Sequence, residues 1–330
     1  MRADVAPDAA EPTASAPLGQ ARPLLKWAGG KRQLLPAIRR FYPARFERYI
    51  EPFVGSGAVF FDLYNHGRLA GRRSILIDHN ADLIGCYAAV PDHAADVVRH
   101  LSRLATGHAA NPRDHYYAVR DGRFNPARRR ISDGPVPDSR RYDPPLAAML
   151  IYLNRTGFNG LFRLNSRGGF NVPIGRYANP RICDEANIEA VATALAASVE
   201  LVRDNFECVL AHAEPGDFVY IDPPYAPLTR TALFTSYTPG GFSLADQERL
   251  QRVVLQLAHR GCRVLLSNST APDIARLYDG NPEAVSAGLR AHKIPARRAI
   301  NSVAARRGAV LEYLVTNIAP GAGRGRHAAR

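Results

Sequence analysis

The chain has 330 residues, of which 46% are hydrophobic and 22% charged, and its formal net charge at pH 7 is +13. This length and hydrophobic content allow one large domain or two ordinary ones with a packed core. No apolar run approaches the length needed to span a bilayer, and the N-terminus has acids where a signal peptide needs an apolar stretch. We therefore expect a cytoplasmic protein without a membrane partner.

The positive charge is concentrated in one part of the chain. Between Arg103 and Arg181 the sequence has 14 arginines, no lysine, 5 aspartates and no glutamate, a net charge of +9. Such a segment favours a polyanionic partner, nucleic acid before membrane, although an arginine-rich proteome would also make every protein basic. The four cysteines lie far apart, so we expect neither a disulfide framework nor a metal site.

At the N-terminus, residues 1–22 are rich in Ala, Pro, Ser and Asp, and we expect a disordered tail there and at 319–330. The stretch LLKWAGGKRQLL, residues 24–35, holds two of the three lysines, the only tryptophan and a Gly-Gly pair. Lysine in so arginine-rich a chain suggests that a compact point charge is required, which favours a site at Lys26 and Lys31. The alternative is a glycine turn before an amphipathic helix.

Strands alternate with helices along two parts of the chain. RYIEPFVGSGAVFFDLY and RSILIDHNADLIGCY each predict a strand followed by a helix, and DFVYIDPPY predicts a third strand. GCRVLLSNS predicts a fourth strand after the helical SLADQERLQRVVLQLAHR. This order predicts a doubly wound α/β fold with a parallel sheet, in which ligands bind at the carboxyl ends of strands. Four candidate site residues fall at such ends: Glu51, Gly55, Asp78 and Asp222.

The Gly-x-Gly turn at Gly55 and Gly57 allows a ligand to approach the backbone closely, but alone it is a weak signal that any tight turn could produce. Asp78 follows about 20 residues later at the next strand end, where a carboxylate can accept hydrogen bonds from ribose hydroxyls. A helix-capping role is the alternative for Asp78. Together the two motifs favour a cofactor that contains adenosine.

The middle of the chain, about 90–200, differs in character and looks like an insertion. HYYAVRDGRFNPARRRISDGPVPDSRRYDPP, residues 115–145, is rich in Pro and Arg and predicts a loop. LAAMLIYLNRTGFNGLFRLNSRGGFNVPIGRY opens as an apolar helix and then fits a hairpin that turns near Ser166–Gly169. We interpret YDPPL at Asp143 as a loop and helix start, because proline is favoured in the first turn of a helix.

The stretch FVYIDPPYAP, residues 218–227, ends a buried strand with an acid, two prolines and a tyrosine. A nucleobase amine is a poor nucleophile because its lone pair is delocalised into the ring. Two acceptors that hold its hydrogens favour a more nucleophilic nitrogen, and Asp222 and the Pro223 carbonyl suit this role, with Pro224 helping to fix their geometry. Tyr225 offers a face on which a flipped base can stack.

The motifs KWAGGK, EPFVGSG and DPPY, in this order, resemble those of the Dam-type (D12 class, alpha-group) DNA adenine N6-methyltransferases. The resemblance runs from about Leu24 to Asn317, and LNRTGFNGLFRLNSRGGFNVPIGRY looks like the recognition hairpin of that family. It implies a Rossmann-like class I fold with a seven-stranded sheet, S-adenosyl-L-methionine as methyl donor and double-stranded DNA as substrate. The implied target is GATC or a related short palindrome, and the implied source is bacterial or phage.

The resemblance also implies a division of the chain and a set of site residues. The catalytic domain would comprise residues 23–89 and 200–318, and a mostly helical recognition insertion with a β-hairpin would comprise 90–199. The implied catalytic residues are Asp222, Pro223, Pro224 and Tyr225. Those implied for the cofactor are Trp27, Lys31, Glu51, Phe53, Gly55, Gly57, Asp78 and Asp222. Those implied for DNA are Lys26, Arg155, Phe158, Asn159, Leu161, Arg163, Pro173 and Tyr177.

Within that last set, Arg163 is the natural bidentate reader of guanine. Phe158 departs from the family pattern, in which close relatives carry tyrosine before the Asn-Gly of the hairpin. RRAINSVAARR, residues 297–307, would supply phosphate contacts or form an ordinary solvated loop. We expect a monomer, with a dimer on DNA as the alternative.

Three other functions remain open at this point. N4-cytosine methylation uses the same acceptor logic, but such enzymes usually carry serine where this chain has Asp222. RNA or a protein glutamine could also present a planar amine or amide to the Pro-Pro-Tyr element. A DNA-binding protein that has lost catalysis is the rival from another class, and the intact residues 222–225 argue against it. Restriction–modification, repair and phage roles are equally compatible with the sequence.

Overall fold

Seven strands form one mixed sheet in the order β3-β2-β1-β4-β5-β7-β6. The computed structural model describes residues 19–132, 138–226, 242–297 and 309–321. The strands are β1 (Tyr49–Glu51), β2 (Ser74–Asp78), β3 (Val199–Arg203), β4 (Phe218–Ile221), β5 (Arg263–Ser269), β6 (Arg290–Arg297) and β7 (Ala309–Thr316). The first five strands are parallel, whereas β7 runs antiparallel to both β5 and β6. This mixed α/β sheet is consistent with the class I methyltransferase fold that the family resemblance implies, and its antiparallel β7 departs from the parallel sheet that the strand–helix order predicts.

The helices pack on both faces of the sheet. Their bounds are α1 (Leu35–Ile38), α2 (Ala58–Asn65), α3 (Ala81–Ala88), α4 (Ala94–Ala110), α5 (Pro112–Val119), α6 (Asn125–Arg130), α7 (Pro144–Thr156), α8 (Glu185–Ala196), α9 (Val209–His212), α10 (Leu244–His259), α11 (Pro272–Tyr278) and α12 (Pro282–Ser286). A π-helical turn, Arg120–Phe124, joins α5 to α6.

Alternate residues of the strands enter two separate hydrophobic clusters. Phe218 and Tyr220 of β4 belong to one cluster, and Val219 and Ile221 belong to the other. This follows from the two-residue period of a strand, which sends neighbouring side chains to opposite faces. The cluster on the Phe218 face also contains buried residues of α4, α7 and α8, so the helices between 94 and 196 share the core of that face.

The four strands predicted from the sequence, β1, β2, β4 and β5, are confirmed. The Asp143 prediction is also confirmed: its carboxylate accepts the Leu146 N–H at 2.9 Å and caps α7, which begins at Pro144. Likewise, α10 begins with a capping box in which Ser243 and Asp246 satisfy each other's backbone N–H groups. Residues 1–18 and 322–330 of the two predicted tails, and residues 298–307 of the basic stretch, lie outside the described residues. Ala21, within the first predicted tail, is buried, and its N–H donates to Asn65 Oδ1 at 3.0 Å.

The loop prediction for 115–145 is wrong over most of its length. Helix α5, the π-helical turn and α6 run from Pro112 to Arg130. Buried Tyr116, Val119 and Phe124 give this segment an apolar face, and packing of such a face stabilises most helices in proteins. Pro126 directly follows the π-helical turn, where the regular four-residue bonding is already interrupted: the Asn125 N–H donates to the Arg120 carbonyl, five residues back.

Candidate active site

A cavity of about 680 Å³ opens at the carboxyl ends of the central strands. Such a volume is typical of a small-molecule site. Of the residues expected to bind a cofactor, those that line it are Trp27, Lys31, Glu51, Phe53, Gly55, Asp78 and Asp222. Gly57 does not line it. Its φ of 68° lies in the left-handed region, so it shapes the turn at which α2 begins.

The glycine turn after β1 is joined to the end of β2 through Asp78. One carboxylate oxygen of Asp78 accepts the Gly55 N–H at 3.0 Å, and the other accepts the Asn80 N–H at 2.9 Å. Gly55 has φ of 47°, and a Cβ at this position would lie 3.0 Å from Trp27 Cδ1. Glycine therefore lets the turn approach the Trp27 indole closely. Asp78 connects the turn after β1 to the residues after β2 through its bonds to Gly55 and Asn80. The capping role considered for Asp78 falls instead to Asn80, whose side chain accepts the Leu83 N–H.

Lys31 is buried at the cavity floor and pairs with Asp222. Its side chain is only 5% exposed, and Nζ lies 2.7 Å from Asp222 Oδ1 and 2.7 Å from the Gly29 carbonyl oxygen. The same Nζ lies 4.4 Å from the centroid of the Tyr225 ring. A buried ammonium is tolerated only when it is paired. Lys31 therefore requires the Asp222 carboxylate as its counter-ion, and it fixes that carboxylate in turn.

The loop Asp222–Tyr225, which we call the Asp-Pro-Pro-Tyr loop, is held by polar side chains from other elements. Ser267 Oγ on β5 donates to Asp222 Oδ1 at 2.9 Å, and Gln247 Nε2 on α10 donates to the Pro224 carbonyl at 3.0 Å. Among the described residues, none donates to Asp222 Oδ2 or to the Pro223 carbonyl. These two oxygens are the acceptors that remain for a ligand.

Tyr225 has contacts at its hydroxyl and on one face of its ring. Its hydroxyl donates to Glu312 Oε2 on β7 at 2.7 Å, while Lys31 Nζ lies over the ring. Burial, followed by the nearby charges of Asp222 and Glu312, raises the pKa of Tyr225 well above its usual value. The hydroxyl therefore stays protonated and remains a donor to Glu312 across the physiological pH range.

Three acids that line the cavity, Glu51, Asp78 and Asp222, have pKa values that burial raises. Burial raises the pKa of Asp222, while the charge of Lys31 and the hydrogen bonds from Lys31 and Ser267 oppose that rise. Burial raises the pKa of Glu51 well above its usual value, although the Tyr49 hydroxyl donates to its Oε2 at 2.8 Å. Asp222 thus has partners that favour its carboxylate form, whereas burial of Glu51 favours its neutral form.

Three phenylalanines, Phe53, Phe206 and Phe242, form an aromatic wall of the cavity. Phe53 stacks on Phe206 with ring centroids 5.3 Å apart and meets Phe242 edge-on at 5.7 Å. Asn205 and Asp246 line the cavity near this wall. A flat apolar group with a polar edge would be well matched to such surroundings.

The residues expected to bind DNA lie mainly in the segment 157–175, which we call the hairpin segment. It folds back on itself through two isolated antiparallel bridges, Gly157–Ile174 and Leu164–Phe170. At its tip the Asn165 N–H donates to the Gly169 carbonyl at 2.8 Å. Its exposed members among the expected residues are Phe158, Asn159, Leu161, Arg163 and Pro173.

Two further expected residues meet at the edge of the hairpin segment. Lys26 Nζ lies 4.4 Å from the centroid of the Tyr177 ring, which is itself exposed. The Lys26 backbone is fixed by Asn154 of α7, whose side chain accepts the Lys26 N–H at 2.7 Å and donates to the Lys26 carbonyl at 2.9 Å. Arg155 has a different position: it is half-buried, and its Nε donates to the Leu24 carbonyl at 3.0 Å.

The sequence reasoning missed the residues that support the Asp-Pro-Pro-Tyr loop. Ser267 contacts Asp222, Ser269 Oγ donates to the Ala226 carbonyl at 2.8 Å, and Asn268 bonds Gln247, the residue that holds Pro224. The signal was present in the sequence as Ser-Asn-Ser at the end of an apolar strand, the same edge at which Asp222 was recognised. Nothing in the sequence pointed to Glu312.

Two further findings concern the part of the chain that the structure describes. No group of three or more His, Cys, Asp or Glu side chains there could hold a metal ion. In the same residues, the helices are too short or too polar to cross a membrane.

Comparisons with known proteins agree on one family. The model of the D12 class N6 adenine-specific DNA methyltransferases matches residues 27–300. The chain is 38% identical over 302 residues to the Type II methyltransferase M1.LlaDCHI of Lactococcus lactis subsp. cremoris, covering 90% of this chain and 95% of that protein. It is 37% identical over 309 residues to the Type II methyltransferase M.MjaIII of Methanocaldococcus jannaschii, covering 90% and 99%. It is 40% identical over 252 residues to a DNA adenine methylase of Serratia marcescens, covering 75% and 83%.

Proposed function

The chain belongs to the D12 class N6 adenine-specific DNA methyltransferases, and from this membership we propose how its residues perform the reaction. It binds S-adenosyl-L-methionine in the cavity at the strand ends, takes the target adenine out of the DNA duplex and methylates its N6. The observation that carries this proposal is a pair of acceptors, Asp222 Oδ2 and the Pro223 carbonyl, to which none of the described residues donates. They lie on a loop in which Asp222 Oδ1, the Pro224 carbonyl and the Tyr225 hydroxyl are bonded.

The cavity residues fit the methyl donor. The Phe53–Phe206 wall suits an adenine ring, and Asp78 suits ribose hydroxyls, while Trp27 and Gly55 leave room for close approach of a ligand to the backbone. When bound, S-adenosyl-L-methionine supplies an electrophilic methyl group. We assign Trp27, Lys31, Glu51, Phe53, Gly55, Asp78 and Asp222 to this site, with Gly57 shaping its turn.

Asp222 and Pro223 activate the amine of the target base. Each can accept one N6–H, which draws the nitrogen lone pair out of conjugation with the ring. Asp222 Oδ1 is already occupied by Lys31 and Ser267, so the carboxylate is preorganised with Oδ2 directed to the amine. After methyl transfer the cationic amine loses one proton, which we assign to Asp222 for transfer to water.

Tyr225 provides the surface on which the flipped base rests. An adenine within a duplex cannot reach the cavity, so the enzyme pays the cost of unstacking, a few kcal/mol, by binding the base in its pocket. Lys31 covers one face of the Tyr225 ring, and we assign the other face to the base. The hydrogen bond to Glu312 fixes the plane in which the base stacks.

Sequence recognition is assigned to the insertion, residues 90–199, and above all to the hairpin segment. Arg163 reads a guanine, Leu161 and Pro173 contact neighbouring bases, and exposed Phe158 enters the stack. Lys26 and Tyr177 reach the DNA from the edge, and Asn159 joins them at the base of the hairpin. Arg155 supports the Leu24 backbone in the free protein, so its contact with DNA would need this bond to break. We propose GATC or a related short palindrome as the target and a monomer as the active unit, with dimerisation on DNA as the alternative.

The test is methylation of an unmethylated plasmid by the purified protein with S-adenosyl-L-methionine. We expect N6-methyladenine in the hydrolysed DNA and cleavage by an endonuclease that cuts only methylated GATC. N6-methyladenine without cleavage would retain the chemistry and reject the GATC assignment. Absence of N6-methyladenine, with S-adenosyl-L-methionine still bound at equilibrium, would reject the proposed catalytic roles.

A further inference from the structure

The two arms of the hairpin segment have very different surroundings. On the outgoing arm Leu161, Arg163 and Leu164 are exposed, whereas on the return arm Phe170 is 2% and Val172 0% exposed. The arms are joined by only two isolated bridges. A two-stranded hairpin with so few bonds is marginal alone in water, so other contacts must hold it in place.

Those contacts come from α5, the π-helical turn and α6, the region where the sequence predicted a loop. The Tyr116 hydroxyl and Arg120 Nη1 both donate to the Val172 carbonyl at 3.0 Å. Arg128 Nη1 donates to the Gly168 carbonyl. Between them, Asn125 forms two bonds with Phe170: its Nδ2 donates to the carbonyl at 3.0 Å and its Oδ1 accepts the N–H at 2.8 Å. We call these four side chains, Tyr116, Arg120, Asn125 and Arg128, the polar rail.

The spacing of the rail matches the period of the arm. Of the bonded carbonyls, those of Phe170 and Val172 lie two residues apart on the return arm and project toward the same edge of it. The third, that of Gly168, lies in the turn at the tip, where φ of Gly168 is 73°. Rail residues follow at intervals of four, five and three, and the interval of five spans the π-helical turn. The one-residue insertion of that turn thus keeps Asn125 on the face that meets the arm. The side-chain amide of Asn125 bonds the Phe170 backbone as a neighbouring strand would, on the edge of the return arm that faces away from the outgoing arm.

The rail is itself fixed to the sheet. Arg128 forms a buried two-bond ion pair with Asp82 of α3, with Nε to Oδ1 at 2.5 Å and Nη2 to Oδ2 at 2.7 Å. The Tyr142 hydroxyl donates to the same carboxylate at 2.9 Å. Helix α3 follows β2, which ends at Asp78. The rail therefore connects the return arm to the strand end that lines the cofactor cavity.

We propose that the polar rail sets the register of the hairpin segment and thereby positions Arg163 for base recognition. The link is Asn171, which lies between two rail-bonded residues and accepts Arg163 Nε at 2.8 Å through its Oδ1. A slip of the return arm by one residue would exchange Asn171 with buried Phe170 or Val172, because neighbouring side chains point to opposite faces. The guanidinium would then lose the partner that orients it. This inference rests on the proposed role of the hairpin segment in reading DNA.

The decisive variant is Asn125→Leu, which removes both bonds to Phe170 at similar volume. We would measure kcat/KM on duplexes with the target site and with single-base changes, and take their ratio as discrimination. We expect the ratio to fall by about tenfold or more, the scale of a lost guanine contact, with binding of S-adenosyl-L-methionine unchanged. Asn125→Asp, which keeps the acceptor for the Phe170 N–H and loses the donor, should give a smaller loss and serves if the leucine variant does not fold.

The matched control is Gln251→Leu. Gln251 is a buried amide on α10 whose Nε2 donates to the Leu277 carbonyl at 2.6 Å, remote from the hairpin segment. This variant should lower stability and leave discrimination unchanged. The double variant Asn125→Leu/Arg163→Ala should have a discrimination ratio no lower than that of the single variant with the lower ratio. The reason is that both changes remove the same base contact of Arg163. Additive losses would overturn the link to Arg163.

Amide hydrogen exchange of the free protein tests the rail without DNA. In Asn125→Leu we expect faster exchange confined to residues 168–174, with the sheet unaffected. Unchanged exchange there, or full discrimination in both Asn125 variants, would overturn the inference. If the wild-type protein shows no sequence preference, the proposed reading role fails, and the exchange result still decides whether the rail holds the hairpin.

Discussion

The Asp-Pro-Pro-Tyr loop and the hairpin segment are the two regions to which we assign chemistry and base recognition, and different groups are fixed in each. In the loop, the side chains proposed to do the chemistry are themselves fixed: Asp222 by Lys31 and Ser267, and Tyr225 by Glu312. In the hairpin segment the fixed groups are backbone carbonyls and N–H groups, and most side chains proposed to meet DNA are exposed.

This difference corresponds to what each region must do. Charge stabilisation at a reacting atom requires groups that do not reorganise, so the carboxylate and ring are immobilised directly. Base reading requires side chains that are free to form bonds with the partner, so only the scaffold beneath them is immobilised. Changes in the loop should therefore alter turnover with little effect on discrimination, and changes in the hairpin segment should do the reverse.

The largest effect is expected for Asp222→Asn. This change removes the charge that holds the amine and leaves buried Lys31 without its counter-ion, so kcat should fall by about 10²–10³-fold, as for loss of one preorganised electrostatic group. DNA binding measured by gel shift should persist. The matched control is Asp143→Asn, in the second Asp-Pro-Pro of the chain, where asparagine caps a helix as well as aspartate does. Retained turnover in Asp222→Asn would remove Asp222 from the catalytic role.

The next effect is a shift of the pH profile in Lys31→Met. Burial raises the pKa of Asp222 and Lys31 opposes this rise, so removing the ammonium should raise that pKa further. Because the carboxylate is the active form, activity is present above the pKa and lost as pH falls through it. The acid limb of the pH profile of kcat should thus move to higher pH. At a pH below the limb, each unit by which the pKa rises should lower kcat tenfold, which corresponds to about 1.4 kcal/mol. An unmoved limb would show that another group controls it.

Arg163→Ala tests the other side of the comparison. Loss of a bidentate guanine contact should relax discrimination at one base pair by about 1–3 kcal/mol while kcat on the preferred site changes less. Arg167→Ala at the exposed tip of the hairpin segment removes the same charge and should weaken binding to all sequences alike. If both variants lose affinity uniformly, Arg163 is a phosphate contact and not a base reader.

The loop was more predictable from the sequence than the hairpin scaffold. Asp78 ends β2, Asp222 directly follows β4, and Gly55 lies in the turn after β1, so a local pattern places them at the same sheet edge. The same pattern offered Ser267, which lies at the end of the predicted strand β5, but it could not offer Glu312, which is separated from Tyr225 by 87 positions and lies on a strand that was not predicted. Only the folded sheet brings such residues together.

The polar rail was hidden for a different reason. Its helices carry arginines and a proline, and the π-helical turn shifts the phase of the apolar positions Tyr116, Val119 and Phe124, so a single helical period does not fit them. Three strands were also missed. Strands β3 and β6 lie at the two edges of the sheet, and Pro295 in β6 is a residue that sheets accept at an edge.

The smallest effect is expected for Glu312→Gln, which tests how much of the rigidity of the loop reaches the chemistry. The amide still accepts the Tyr225 hydroxyl, but the bond loses its charge, a difference of about 1 kcal/mol. If Glu312 positions the ring on which the base stacks, kcat should fall about fivefold with KM for S-adenosyl-L-methionine unchanged. Tyr225→Phe removes the same bond, so the double variant should be no slower than Tyr225→Phe alone. Additive losses, or a drop in stability with kcat unchanged, would mean that Glu312 supports β7 rather than the stacking surface.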